Sequence, residues 1–284
     1  MEDERKAKLA KVLPAAAGQR WLSSFSLGAH GSTEVHEGMR RAVAAALFCA
    51  CAGVASAAPN FRKQLLEHHG NTRTYYVSAP KDLAAGEKRP LVLAFHGSGG
   101  DGAKIVDNWA KLAQKERFFV AGLKSLDRWN WTIPADGPDL VHKLTETLLG
   151  KLPIDSSRLY LFGHSAGAVF ALRLGLLESQ YFAAVAVHAG SFRSSPDFAT
   201  VRLARRKLPL LIISGDRDAI FPPASVKSTI AAMQAAGIPA ESFIMNGYDH
   251  RYYALGNSVN ARAWEFLKKH SLRATPRYEV YALP

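Results

Sequence analysis

Cysteine is nearly absent from this chain. Its 284 residues hold two, Cys49 and Cys51, both inside one alanine-rich apolar run, so neither a disulfide framework nor a zinc cluster is spelled out. No H-E-x-x-H helix or other metal-ligand spacing occurs, and the sequence implies no metal and no cofactor. The Gly-Lys-Ser/Thr ending of a phosphate-binding P-loop is missing. No apolar run reaches the roughly 20 residues of a membrane-spanning helix. From residue 58 onward there is no internal repeat and no long low-complexity segment. Acidic residues are in deficit, 24 against 36 Lys and Arg, for a net charge of +12. No RNP sequence, zinc finger or basic zipper accompanies that charge, so no nucleic-acid partner follows from it. The basic residues are spread along the chain, with Arg202, Arg205, Arg206 and Lys207 as the one tight cluster; it reads as a solvated basic face.

The cysteines lie in a recognisable context. Met39-Arg40-Arg41 supplies a positive start, 42–54 an apolar stretch, and Ala55-Ser56-Ala57 a small-residue cleavage pattern before Ala58-Pro59. That is the layout of a secretory signal peptide spanning 39–57. Cleavage after Ala57 would leave a cysteine-free mature chain, suited to a secreted or periplasmic location. Phe48-Cys49-Ala50 makes a poor lipobox for acylation at Cys51, and Arg40-Arg41 lacks the flanks of a twin-arginine signal. Residues 1–38 read as a non-native or disordered extension, with Met39 as the expected initiator. The alternative is a genuine cytoplasmic extension joined to an uncleaved anchor.

With 48% hydrophobic residues overall, the chain can bury a core of ordinary size, and the region that would hold it is 58–284. It alternates strand-like and helix-like segments, the pattern of a mostly parallel sheet with helices on both faces. Strands are expected at 73–78, 91–95, 118–123, 159–162, 183–187, 208–214 and 241–245. Helices are expected at 105–115, 138–152, 168–177, 224–236 and 259–269. Residues 61–70 read as a polar linker or short helix.

One stretch carries the chemistry. The apolar strand 159–162 runs into Gly163-His164-Ser165-Ala166-Gly167 and then a helix. This is the G-x-S-x-G nucleophile elbow in its strand–turn–helix setting. The serine occupies a strained turn, so its neighbours two before and two after must be small, and the following helix aims its amino terminus at charge developing near Ser165. Upstream, strand 91–95 leads into His96-Gly97-Ser98-Gly99-Gly100-Asp101-Gly102. Gly97, Gly99 and Gly102 match the dinucleotide fingerprint to the letter. The next strand, however, ends in Leu123-Lys124-Ser125, where the acidic ribose ligand should stand. A serine nucleophile needs a base and an orienting acid. Asp216 and Asp218 both stand just past a late strand. Of the ten histidines, His250 alone follows those acids in a loop after the last strand; His188 is the second choice. His96 is expected to hold the glycine loop in shape, His164 to point away from the nucleophile, and His142 to be solvated on a polar helix face. Trp129 and Trp131 stand in a loop at a strand's carboxyl end, as packing or as a substrate-pocket wall.

The set His-Gly-Ser-Gly-Gly, Gly-His-Ser-Ala-Gly, Gly215-Asp216-Arg217-Asp218 and Asp249-His250 resembles the α/β-hydrolase superfamily. More narrowly, 75–190 is similar to secreted polyhydroxybutyrate-depolymerase and feruloyl-esterase-like enzymes, including the lead-in Pro153-Ile154-Asp155-Ser156-Ser157-Arg158. The resemblance implies an α/β-hydrolase fold over 58–284. It also implies a serine carboxylic ester hydrolase acting through an acyl-enzyme on small or polymeric esters. The superfamily's Gly-x-x-Asp pattern selects Asp218 over Asp216, and its chain order gives Ser165, Asp218 and His250. The oxyanion donors would be the backbone of Ser98 (or Gly97) and Ala166. The chain departs from many depolymerase-like relatives in having Ser98 where they carry cysteine. Other readings are a prolyl-oligopeptidase-type serine peptidase and a non-catalytic hydrolase-fold binding protein.

Overall fold

The computed structural model describes residues 61–279, so the extension 1–38 and the signal-like segment 39–57 lie outside the described residues. Eight strands occur: β1 Arg62–His68, β2 Asn71–Ser78, β3 Arg89–Phe95, β4 Phe119–Leu123, β5 Ile154–His164, β6 Ala184–His188, β7 Leu210–Gly215 and β8 Ala240–Met245. The helices are α1 Gly102–Glu116, α2 Pro138–Lys151, α3 Ala166–Leu177, α4 Ser195–Ala199, α5 Pro223–Ala235 and α6 Gly256–Leu267. The strands form one sheet in the order β1-β2-β4-β3-β5-β6-β7-β8. The pairs β1–β2 and β2–β4 are antiparallel, and every later pair is parallel.

The apolar runs of the central strands follow from burial on both faces, since successive side chains point to opposite sides. Leu91, Leu93, Phe95, Leu159, Leu161, Val185, Val187, Leu210 and Ile212 share one core with residues of α2, α3 and α5. Their neighbours Val92, Ala94, Tyr160, Phe162, Ala184, Ala186, Leu211 and Ile213 share the other with α1 and α6. Helices thus cover both faces, as the alternation of segments predicts.

The expected linker or helix at 61–70 is instead β1 and its turn. His69 and Gly70 both take positive φ, 48° and 72°, the two-residue hairpin geometry that matches strand twist. The polar character that suggested a linker belongs to an edge strand, where Leu66 is buried and Leu65 exposed. Three helices start earlier than their apolar periodicity. Asp101 accepts the Ala103 N–H at 2.7 Å and caps α1 at Gly102, and α3 and α6 begin at Ala166 and Gly256. His142 is not simply solvated, since it is half-buried and stacks on Tyr278 with ring centroids 3.9 Å apart.

Two histidines end adjacent strands inside the molecule. His164 and His188, paired across β5 and β6, are both buried. Their Nδ1 atoms lie 3.1 Å apart, one donating and the other accepting. Burial first, and mutual repulsion after it, hold His164 well below the ordinary imidazole range. Burial, aided by nearby His250, pulls His188 down to about 4. In the unfolded chain both would take a proton near 6.5. Between those limits the unfolded state binds more protons, so stability is complete above about pH 6.5 and falls as pH drops toward 4. For His188 alone the loss is on the order of 3 kcal/mol. Urea unfolding should show a midpoint that drops between pH 7 and pH 4.5, and His188→Gln should flatten that dependence; an equally steep profile in the variant would refute the assignment.

Candidate active site

At the end of β5 the chain reverses within one residue. Ser165 has φ 56° and ψ −119°, a conformation that stores about 1–3 kcal/mol for a residue with a Cβ. The close crossing of strand and helix requires glycine: a Cβ on Gly163 would lie 2.1 Å from the Gly167 carbonyl oxygen, and one on Gly167 2.2 Å from that of Phe95. The Ser165 amide donates to the His188 carbonyl at 3.1 Å, tying the turn to β6.

The Ser165 side chain meets two partners from distant loops. Its Oγ is 2.9 Å from His250 Nε2, and His250 Nδ1 is 2.9 Å from Asp218 Oδ2. A proton on Nδ1, directed at the carboxylate, leaves Nε2 to accept from the serine hydroxyl. Asp218 is 2% exposed. Its other oxygen accepts the N–H groups of Ile220 at 2.9 Å and Phe221 at 2.8 Å, so the buried carboxylate is hydrogen-bonded on both oxygens. Phe221 lies nearly parallel to the His250 ring, 5.9 Å between centroids, and limits its rotation. Asp216 is exposed and accepts the Gly247 N–H at 2.7 Å, stapling the loop after β8 to the loop after β7. The same two loops touch at Gly215, where a Cβ would stand 2.1 Å from the Tyr248 carbonyl oxygen. Of the two candidate acids, Asp218 is the one that reaches the histidine.

The imidazole of His188, the second-choice base, is engaged with that of His164 and not with the Ser165 hydroxyl. His164 turns inward, stacking on Tyr252 with centroids 5.0 Å apart.

The glycine loop lies against the serine: a Cβ built on Gly97 would be 3.1 Å from that of Ser165. His96 shapes the loop, its Nδ1–H donating to the Gly97 carbonyl at 2.8 Å while Nε2 accepts the Ser125 N–H at 3.3 Å. Burial holds His96 below the ordinary imidazole range, favouring this neutral form. The Gly99 and Gly100 N–H groups are taken by the carbonyls of Arg128 and Gly97. The Ser98 and Ala166 N–H groups have no acceptor among the described residues. For Ala166 this follows from its place in the first turn of α3.

The two tryptophans separate. Trp131 is buried as packing. It stacks on Phe170 at 5.1 Å, and its indole N–H donates to the His96 carbonyl at 2.8 Å, so apolar burial and the need for one acceptor place it in the core beneath the glycine loop. Trp129 is 59% exposed, with its ring against Gly99. Sequence reasoning missed what organises their loop. Asp136, fully buried, pairs with Arg73 of β2 and accepts the N–H groups of Leu126 and Thr132, both at 3.0 Å. Nothing in the local sequence distinguishes Asp136 from a solvated loop acid. Among the described residues no cluster of His, Cys, Asp and Glu could hold a metal, and no helix is long and apolar enough to cross a membrane.

Residues 136–271 match the phospholipase/carboxylesterase family model. NocK of Nocardia uniformis subsp. tsuyamanensis, provisionally named an esterase, is 31% identical over 181 residues, 59% of this chain and 52% of NocK. The bifunctional acetylxylan esterase/xylanase XynS20E of Neocallimastix patriciarum is 28% identical over 157 residues, 54% of this chain and 22% of that protein. The chain therefore spans about half or less of the curated relatives it matches. A solved ferulic acid esterase superposes with a TM-score of 0.58 at 14% identity, covering 73% of this chain and 97% of its own. The fold is that of the α/β hydrolases, and the stretch 136–271 is similar in sequence to the phospholipase/carboxylesterase family.

Proposed function

We propose that the chain is a carboxylic ester hydrolase that works through an acyl-enzyme on Ser165. The observation that carries this reading is the unbroken hydrogen-bond chain Ser165–His250–Asp218 on a strained elbow. His250 takes the hydroxyl proton as Ser165 Oγ attacks the ester carbonyl, and Asp218 orients the imidazole and stabilises its cation. The tetrahedral oxyanion is received by the N–H of Ala166 at the start of α3 and by that of Ser98 in the glycine loop. A donor of this kind is worth about 3–4 kcal/mol in serine hydrolases. The imidazolium then gives its proton to the departing alcohol, and a water activated by the same His250 releases the acid.

The finer reading concerns substrate and place. Exposed Trp129 and Ile220 flank the site with apolar surface, which suits esters carried on larger molecules, in keeping with relatives whose names refer to acetylxylan and ferulic acid. The signal-like 39–57 supports export to the periplasm or beyond. A hydrolysis panel of p-nitrophenyl esters, methyl ferulate, hydroxybutyrate oligomers and peptide anilides separates these from a depolymerase or peptidase; faster turnover of anilides than of esters would favour the peptidase.

Ser165→Ala should lower ester turnover by several orders of magnitude while leaving the unfolding midpoint near that of the parent, and a fluorophosphonate should label Ser165. Retained turnover, or labelling at another serine, removes the nucleophile assignment. Asp218→Asn should lower kcat by about 10⁴-fold, as expected when the imidazole loses its orienting carboxylate. Asp216→Asn should act mainly through its loop staple and cost far less; the reverse order would transfer the role to Asp216.

Expressed from Met39 in a bacterial host, the protein should be recovered outside the cytoplasm, beginning at Ala58 and free of thiols. N-terminal sequencing of the exported chain checks this. Retention of 1–38 on the exported protein would overturn both the late start and the cleavage.

A further inference from the structure

A cleft of about 460 Å³, lined by Gln180, Arg206, Arg273, Thr275 and Arg277 among others, opens at the amino ends of the central strands, the opposite end from Ser165. Gln180 precedes β6 and Arg206 precedes β7. The segment after α6 closes the other side, pinned where the Leu272 N–H donates to Ser157 at 2.8 Å and the Arg277 N–H to Gln180 at 3.1 Å. Ser165 stands past the far end of β5, roughly 20 Å away at about 3.3 Å per strand residue. The cleft is therefore separate from the proposed esterase centre.

Its three arginines have no ion-pair partner among the described residues. Arg206 is half-buried, and its guanidinium donates to three neutral carbonyls, Ser179 at 2.6 Å, Phe182 at 2.6 Å and Ala183 at 3.0 Å. These fix its position but bring no negative charge, and burial alone pulls its acidity up. Among the described residues no carboxylate lies within 4 Å of Arg206, Arg273 or Arg277. Of the nearby acids, Glu279 pairs with Arg205 at 3.2 Å, and Glu178 Oε2 accepts the Glu279 N–H at 2.9 Å. A partly desolvated cation without a counterion is unfavourable unless an anion arrives. Gln180 adds to the lining an amide whose NH₂ can donate to an anionic oxygen.

We propose that the Arg206–Arg273–Arg277 cleft binds a small multivalent oxyanion, one bearing two or more adjacent phosphate or carboxylate groups. The cleft has the volume of a small-molecule site. Arg206 serves as its fixed floor, and Arg273 and Arg277 serve as forks that can each grip two anionic oxygens. The tight basic cluster of the sequence thus divides, Arg206 facing the ligand and Arg202 lying on open surface.

The test is isothermal titration calorimetry on the full chain at low ionic strength with pyrophosphate and, separately, citrate, against chloride as the monovalent control. One saturable site is expected for at least one of the two ions and none for chloride, with the tighter ion naming the phosphate or carboxylate source. Arg206→Gln would strip three carbonyls of their donor, so the exposed positions serve as probes. Arg273→Gln and Arg277→Gln should each raise Kd about tenfold or more. Arg202→Gln removes the same charge from outside the cleft and should change Kd less than twofold. Absence of saturation with both ions, or equal weakening by Arg202→Gln and Arg277→Gln, overturns the proposal.

Discussion

The structure depends on the crossing of β5 and α3 at Ser165. Strand and helix approach so closely that the two flanking glycines cannot carry a Cβ, and the serine between them is held in a backbone conformation that a free chain avoids. Neither glycine acts in the proposed chemistry. Their smallness lets the sheet hold the strain, and the strain projects one hydroxyl clear of the backbone at the mouth of the sheet. The rest of the site is arranged to meet that point. The loop after β3 lies on one side, the loop after β7 supplies a fixed carboxylate, and the loop after β8 brings the imidazole between them.

Electrostatics divides the histidines by depth. Three imidazoles gather behind and beside the serine, with His164 and His250 rings 5.1 Å apart, yet they cannot share a role. His164 and His188 are surrounded by apolar rings and by each other, so both resist a proton. His250 sits partly exposed with a carboxylate on its far nitrogen, an environment that tolerates the charge it must acquire in the proposed cycle. Two neutral neighbours also keep further positive charge away from that imidazole when it becomes a cation.

What the sequence made legible were features with local signatures. The elbow shows because small residues at fixed offsets are a steric necessity, and the parallel sheet shows because strands buried on both faces are apolar without interruption. Position along the chain favours His250 over His188, and in the structure His250 Nε2 stands 2.9 Å from Ser165 Oγ while His188 faces His164. Features made by pairing across space were not legible. The hairpin strand β1 looked like a linker because an edge strand buries little, and its turn was signalled only by His69-Gly70. Trp131 could not be told from a pocket residue, since its place beneath the glycine loop comes from Phe170 and the His96 carbonyl, both remote in sequence. Asp136 was silent for the same reason: its partner Arg73 lies 63 positions away.

That last pair has a consequence for the loop it secures. Ser125 ties one end of the segment to His96, while Asp136 anchors the other end to the hairpin at the sheet edge. Between the two moorings, Arg128, Trp129 and Asn130 stand in solvent over the glycine loop. The side chains of this span touch neither the elbow nor the imidazole, and the Arg128 carbonyl that holds the Gly99 N–H does not depend on the side chain there, so the outer face of the loop can vary while the frame beneath it stays intact. The segment behaves as an interchangeable visor on a rigid helmet.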